Sequence, residues 1–129
     1  MLDCKGKSVL LVEDNPANMD LATDLLEFAG WRVVQATTAE IALHLAAQEP
    51  CDLILMDVSL PGIDGLEATR RLKQDLQTAG IPVAVLTAQA MPGDREAAIS
   101  AGCVGYIAKP IDTRRFAQDV AAFLGQEGK

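Results

Sequence analysis

Four short apolar runs in the chain each lead into a residue suited to phosphate chemistry. Ser8 to Val12 runs into Glu13 and Asp14, Leu53 to Met56 into Asp57, Val83 to Leu86 into Thr87, and Val104 to Ala108 into Lys109. If these runs are parallel strands, their carboxyl ends share one edge of a sheet, where open α/β folds place ligands. Three carboxylates, a hydroxyl and an ammonium then share one cleft, a set that holds a divalent cation and a phosphoryl group. A carboxylate is a poor phosphoryl acceptor while its charge repels the incoming phosphate, so a metal and a cation must neutralise the site during in-line transfer. Asp57 is the natural nucleophile, because it ends a central strand between the other groups. Glu13 and Asp14 are candidate holders of Mg²⁺, or of Mn²⁺ in its place, an ion that prefers octahedral oxygen ligation and keeps several waters. Asp14 is expected to bind directly and Glu13 through water. Lys109 offers a point charge for one phosphoryl oxygen and Thr87 a donor for another.

The segments between these runs have helical spacing and recognisable ends. Asn15-Pro16 reads as a cap and a first-turn proline, with Leu21, Leu25, Leu26 and Phe28 on one side and Gly30 as the stop. Thr38 caps a second helix carrying Ile41, Leu43 and Leu45, stopped by Pro50. Asp64 caps a third, with Leu66, Leu72 and Leu76 inward and Gly80 beyond its end; Pro61-Gly62 beside it marks a turn, so Asp64 reads as a cap and not as a metal ligand. Pro92 opens a short fourth helix that ends at Gly102, and Asp112 or Thr113 opens a fifth, with Phe116, Val120, Phe123 and Leu124 inward. With 31–36 counted as a strand, the order is strand then helix five times over, which implies a doubly wound parallel sheet with right-handed crossovers and helices on both faces. Runs 53–56 and 83–86 are apolar throughout, as central strands should be, whereas 31–36 carries Arg32 and Gln35 and reads as an edge.

A chain of 129 residues fits one domain, expected to span residues 1–129 with no output domain following. The net charge of −7 argues against nucleic acid or an anionic membrane as partner. No apolar stretch approaches the ~20 residues of a membrane span, and the N-terminus lacks a signal-type pattern. Cys4, Cys51 and Cys103 have no C-x-x-C spacing and read as reduced packing thiols, so the expected location is the cytoplasm. Only the end from Gly125 to Lys129 reads as a frayed tail.

Four blocks then become specific together. Leu11 to Asn15, Leu55 to Gly65, Val85 to Ala88 and Tyr106 to Pro110 resemble the signature blocks of the response-regulator receiver domain, the CheY-like family, in family order and spacing over about the whole chain. The stretches from Ala88 to Asp94 and from Gly102 to Asp112 are most similar to single-domain regulators of the DivK type and to receivers of hybrid kinases. The resemblance implies a flavodoxin-like (βα)5 fold with strand order 2-1-3-4-5. It implies Asp57 as phosphoacceptor, Asp57 and the Ser59 main-chain carbonyl as further metal ligands, and the Ala88 main chain as a phosphoryl contact. It implies a cis bond between Lys109 and Pro110, and a switch role for Tyr106, which swings inward when Thr87 moves. Without it, Tyr106 reads as edge-strand packing.

The expected function is two-component signalling: the chain takes a phosphoryl group from a histidine kinase or histidine phosphotransfer protein onto Asp57, catalysing its own phosphorylation and dephosphorylation instead of acting as a conventional enzyme. It then changes its affinity for a protein partner at the surface formed by residues 93–124. Rival readings are an excised hybrid-kinase receiver or a phosphate sink, an aspartyl-nucleophile phosphohydrolase, and a flavodoxin-like cofactor binder. The phosphohydrolase needs a second aspartate two residues on, where this chain has Ser59. The cofactor binder is opposed by the acidic loop at Glu13-Asp14, which would repel a flavin phosphate. Ser59 and Gln89 sit where the family tunes hydrolysis. His44 reads as structural or exposed, and Trp31 as packing.

Overall fold

The computed structural model of the chain describes residues 6–49, 51–88 and 93–126, so Cys4, Pro50, Gln89, Pro92 and the tail from 127 lie outside the described residues. Its elements alternate as the apolar runs require: β1 (Ser8–Val12), α1 (Pro16–Phe28), β2 (Arg32–Ala36), α2 (Ala39–Gln48), β3 (Leu53–Asp57), α3 (Gly65–Gln74), β4 (Val83–Thr87), α4 (Asp94–Ala101), β5 (Gly105–Ala108) and α5 (Phe116–Ala122), with a 3-10 turn at Phe123–Gln126. The strands form one parallel sheet in the order β2-β1-β3-β4-β5.

Strand alternation sorts the apolar side chains into two cores. Leu10, Val12, Ile54, Met56, Val83 and Val85 face α2, α3 and α4. Val9, Leu11, Leu53, Leu55, Ala84 and Leu86 face α1 and α5. Every residue of β3 and β4 is buried, as expected of central strands covered on both faces.

Three helix starts follow the expected chemistry. Asn15 accepts the N–H of Asn18 at 3.1 Å, Thr38 that of Ile41 at 3.1 Å, and Asp64 that of Glu67 at 2.9 Å. Gly102 ends α4 at φ 107°, a left-handed geometry open to glycine at no steric cost.

Several sequence expectations need correction. The buried stripe of α1 is Met19, Ala22 and Leu26. Phe28 lies two residues, about 200° of helical rotation, beyond Leu26 and is 95% exposed, while Leu21 is half out in solvent. In α2 the sheet-facing residues are Ala39, Ala42 and Ala46, and Ile41 is exposed. The third helix ends at Gln74, well short of Gly80, and Leu76 is 96% exposed. Asp75 takes the N–H of Gln77 at 2.9 Å and the Thr78 hydroxyl donates to Leu72 O at 2.6 Å, so side chains compete successfully with further helical bonds. The last helix begins at Phe116; Asp112 first builds a turn by accepting the N–H of Arg114. Val104 precedes β5, although its N–H donates to Val83 O at 2.8 Å.

Candidate functional site

The β1, β3, β4 and β5 ends lie side by side. Met56 is in register with Val12, Asp57 with Leu86, and Thr87 with Ala108. Backbone bonds extend the ladder past the strands: Glu13 N–H donates to Ala36 O at 3.0 Å, Val58 N–H to Leu86 O at 2.9 Å, and Lys109 N–H to Thr87 O at 2.7 Å. Period-2 alternation then decides which side each functional group takes. Glu13, Asp57 and Lys109 continue the parity of Leu11, Leu55 and Ile107, whose side chains pack towards α1 and α5. Thr87 and Tyr106 share the parity of Val85 and pack on the other side.

On the first side the Lys109 ammonium donates to Asp57 Oδ2 at 2.8 Å and to Glu13 Oε1 at 3.0 Å. Asp57 Oδ1 accepts the Ser59 N–H at 3.0 Å, and Glu13 Oε2 accepts the Asn15 N–H at 3.2 Å. Glu13 and Asp57 are 2% and 3% exposed, whereas Asp14 reaches solvent. One carboxylate oxygen from each of Glu13, Asp14 and Asp57 falls within a cluster whose members are within 4.8 Å of one another. Three carboxylates against one ammonium leave an excess of negative charge, and hard oxygen donors at this spacing fit Mg²⁺ or Mn²⁺.

The electrostatics follow from burial. Burial raises the Glu13 pKa, with the neighbouring Asp57 adding to the rise and the Lys109 ammonium opposing it. Burial works against the charged Lys109, but hydrogen bonds and charge from Asp57 and Glu13 outweigh it and hold the pKa above its ordinary value. The bond between Lys109 and Pro110 is cis.

On the other side of the ladder, a cavity of about 200 Å³ opens beside the cleft, lined by Val58, Ser59, Leu66, Thr87, Ala98 and Tyr106. Tyr106 is half-buried against the α2–α4 core, and Thr87 is 8% exposed. Ala88 borders both this cavity and a second groove lined by Leu21, Lys109 and Ile111. The strand ends thus bring Glu13, Asp57 and Lys109 into direct contact, hold the Asp14 carboxylate within 4.8 Å of the other two, and set Thr87 and Tyr106 around a neighbouring space. The double role of Lys109, bonded to Glu13 as well as Asp57, was not read from the sequence; the shared parity of positions 11, 13, 55, 57, 107 and 109 carries the signal for it. Asp64 caps α3 as expected, His44 is exposed on α2, and Trp31 is buried. Cys51 and Cys103 are free thiols, and burial pushes Cys51 up to about 11.

Comparison with known proteins gives one pattern. Residues 9–121 match the response regulator receiver domain model. The polar-differentiation response regulator DivK of Brucella ovis is 45% identical over 119 residues, covering 92% of this chain and 97% of that protein. The receiver domain of the sensor histidine kinase PA1611 from Pseudomonas aeruginosa, whose structure has a magnesium ion coordinated in the active site cleft, is 36% identical with a TM-score of 0.84, covering 93% of this chain and 98% of that one. The chemotaxis response regulator CheY4 of Vibrio cholerae shares the fold, with a TM-score of 0.87 at 24% identity, covering 92% of this chain and 99% of that one.

Proposed function

This chain belongs to the response regulator receiver domain family of two-component signalling, and from that premise we propose that Asp57 accepts a phosphoryl group from the phosphohistidine of a histidine kinase or histidine phosphotransfer protein. The observation that carries the reading is the Lys109 ammonium bonded at once to Asp57 and Glu13, beside Asp14. It puts a nucleophilic carboxylate, a cation and two further carboxylates in one cleft.

In the transfer an Asp57 carboxylate oxygen bonds to phosphorus in line with the breaking P–N bond, whose electron pair leaves on the imidazole nitrogen with a proton from solvent. The Ser59 N–H fixes Asp57 Oδ1 and so orients the carboxylate. Lys109 exchanges its contact with Asp57 Oδ2 for a phosphoryl oxygen, and the Thr87 hydroxyl and the Ala88 main chain meet the others. Glu13, Asp14, Asp57 and the Ser59 carbonyl would hold Mg²⁺, or Mn²⁺, which supplies the charge that lets the phosphate approach; the magnesium ion in the related Pseudomonas receiver supports this assignment.

The phosphoryl group adds about −1.5 to −2 charge units. Thr87 moves towards it, Tyr106 follows into the adjoining cavity, and the surface of α4, β5 and α5 changes its affinity for a protein partner. Among the described residues no helix is long and apolar enough to cross a membrane. The test is label transfer from a phosphorylated histidine phosphotransfer domain: the wild type should take up label with Mg²⁺, and Asp57→Asn should take up none. Stoichiometric label on Asp57→Asn overturns the reading.

A further inference from the structure

We propose that Gly65 is a positioning residue that sets where the Asp57 carboxylate stands, by letting the first turn of α3 press against the Asp57 main-chain carbonyl. The role rests on the reading of Asp57 as phosphoacceptor. A Cβ at Gly65 would lie 2.3 Å from Asp57 O, 3.0 Å from Asp57 C and 3.0 Å from Met56 Cγ. The Met56 side chain can yield, whereas the Asp57 carbonyl belongs to the last residue of a fully buried central strand. Gly65 has no left-handed backbone, unlike Gly62 at φ 75°. It is therefore space, and not an unusual dihedral, that requires glycine here.

The helix start has little freedom to retreat from such a clash. Gly65 N–H donates to Val58 O at 3.1 Å, and its carbonyl accepts the hydroxyl of the wholly buried Thr69 at 2.8 Å. Asp64 caps the same turn through the Glu67 N–H. On the far side Val58 N–H is tied to Leu86 O of β4, one residue before Thr87. The loop from Asp57 to Gly65 is thus closed at both ends, and it carries the Ser59 N–H that holds Asp57 Oδ1. A methyl group at Gly65 displaces the end of β3, and with it the angle of the Asp57 carboxylate to Lys109. Sub-ångström misplacement of this kind lowers rates where catalysis rests on alignment.

Gly62 provides the matched control. It lies in the same loop, its left-handed φ makes alanine strained there too, and a Cβ would meet only the Glu40 carboxylate, at 3.3 Å. The experiment measures thermal melting of Gly65→Ala, Gly62→Ala and Thr69→Val, and Asp57 phosphorylation by acetyl phosphate at saturating Mg²⁺, at a temperature where each variant is folded by circular dichroism. Both glycine variants should melt lower than the wild type. Gly62→Ala should keep a phosphorylation rate within about twofold of the wild type, while Gly65→Ala should be slowed at least tenfold. Thr69→Val keeps the shape of the side chain, removes the hydroxyl's bond to the Gly65 carbonyl while leaving the helical main-chain bond in place, and should slow the reaction severalfold. Should Gly65→Ala not fold, a wild-type rate for Thr69→Val overturns the proposal. A folded Gly65→Ala that reacts as fast as Gly62→Ala overturns the positioning role alone, whereas a wild type that takes no label on Asp57 overturns the phosphoacceptor reading and the positioning role with it.

Discussion

Replacing Lys109 with methionine removes the ammonium that bridges Asp57 and Glu13 while keeping much of the side-chain volume. Its contacts are 2.8 and 3.0 Å, between side chains 16%, 4% and 2% exposed for Lys109, Asp57 and Glu13. At ~3 Å and an effective dielectric near 20, each contact is worth about 5 kcal/mol of gross attraction, much of it offset by desolvation. Removing one partner of a buried ion pair costs about 3–5 kcal/mol, because the other charge stays buried and unpaired. In EDTA, Lys109→Met should therefore lose about 3 kcal/mol, near 10 °C in Tm for a chain of this size. A divalent cation restores the missing positive charge and no longer competes with the ammonium for the same oxygens. At saturating Mg²⁺ the deficit should shrink to about 1 kcal/mol, and the Mg²⁺ dissociation constant should fall at least tenfold, equivalent to about 1.4 kcal/mol. Urea denaturation in EDTA and in Mg²⁺, with calorimetric titration of the metal, reads both quantities. An equal deficit in the two buffers together with unchanged Mg²⁺ affinity would refute the reasoning.

Asp14→Asn should raise Tm in EDTA by a few degrees, since carboxylate oxygens within 4.8 Å of one another repel by about 3.5 kcal/mol at that dielectric, which exposure of Asp14 reduces to about 1 kcal/mol; the same variant should lose the Mg²⁺-dependent rise, and melting curves in both buffers check it. Burial raises the Glu13 pKa above its ordinary 4.5, so the stability this group contributes is full below pH 4.5 and is lost as pH rises through the folded value. In EDTA, Glu13→Gln should accordingly gain stability over the wild type as pH climbs from 4.5 to 8, read by urea denaturation across the series, and a difference that does not change with pH rejects the assignment. Leu72→Ala should cost about 3 kcal/mol and Leu76→Ala less than about 0.5, because Leu72 is 1% exposed and Leu76 lies outside α3 in solvent; equal costs would place the end of the helix elsewhere.

The ends of β3 and β4 were legible because each is an apolar run broken by a single ionisable or hydroxyl side chain, Asp57 or Thr87, and burial on both faces leaves such runs no other role; the edge strand β5, Gly105–Ala108, is only partly buried and was legible through its place before Lys109-Pro110. Three of the helix starts were legible for a similarly local reason, in Asn15-Pro16, Thr38 and Asp64. The end of α3 was not, because it depends on Lys73 reaching the carbonyls of Ala79 and Ile81 and on the Thr78 hydroxyl taking that of Leu72, contacts that only the folded turn creates. Phe28 misled through its size. Helical phase puts it opposite Leu26, and small residues such as Ala22 fill the buried stripe instead. At the site, residue types named Glu13, Asp57 and Lys109, but their mutual bonding depends on strand parity, and Gly65 gave no warning because its constraint is a distance to a residue eight positions earlier.

The identity of the phosphoacceptor is tested most directly by trapping. The protein is incubated with Mg²⁺ and a phosphohistidine donor, the acyl phosphate is reduced with borohydride, and peptide mass spectrometry locates the resulting alcohol. Homoserine at position 57, absent without donor and absent when EDTA replaces Mg²⁺, is the predicted result. Reduction at Glu13 or Asp14 instead, or stoichiometric phosphate uptake with Asp57 unmodified, would contradict it.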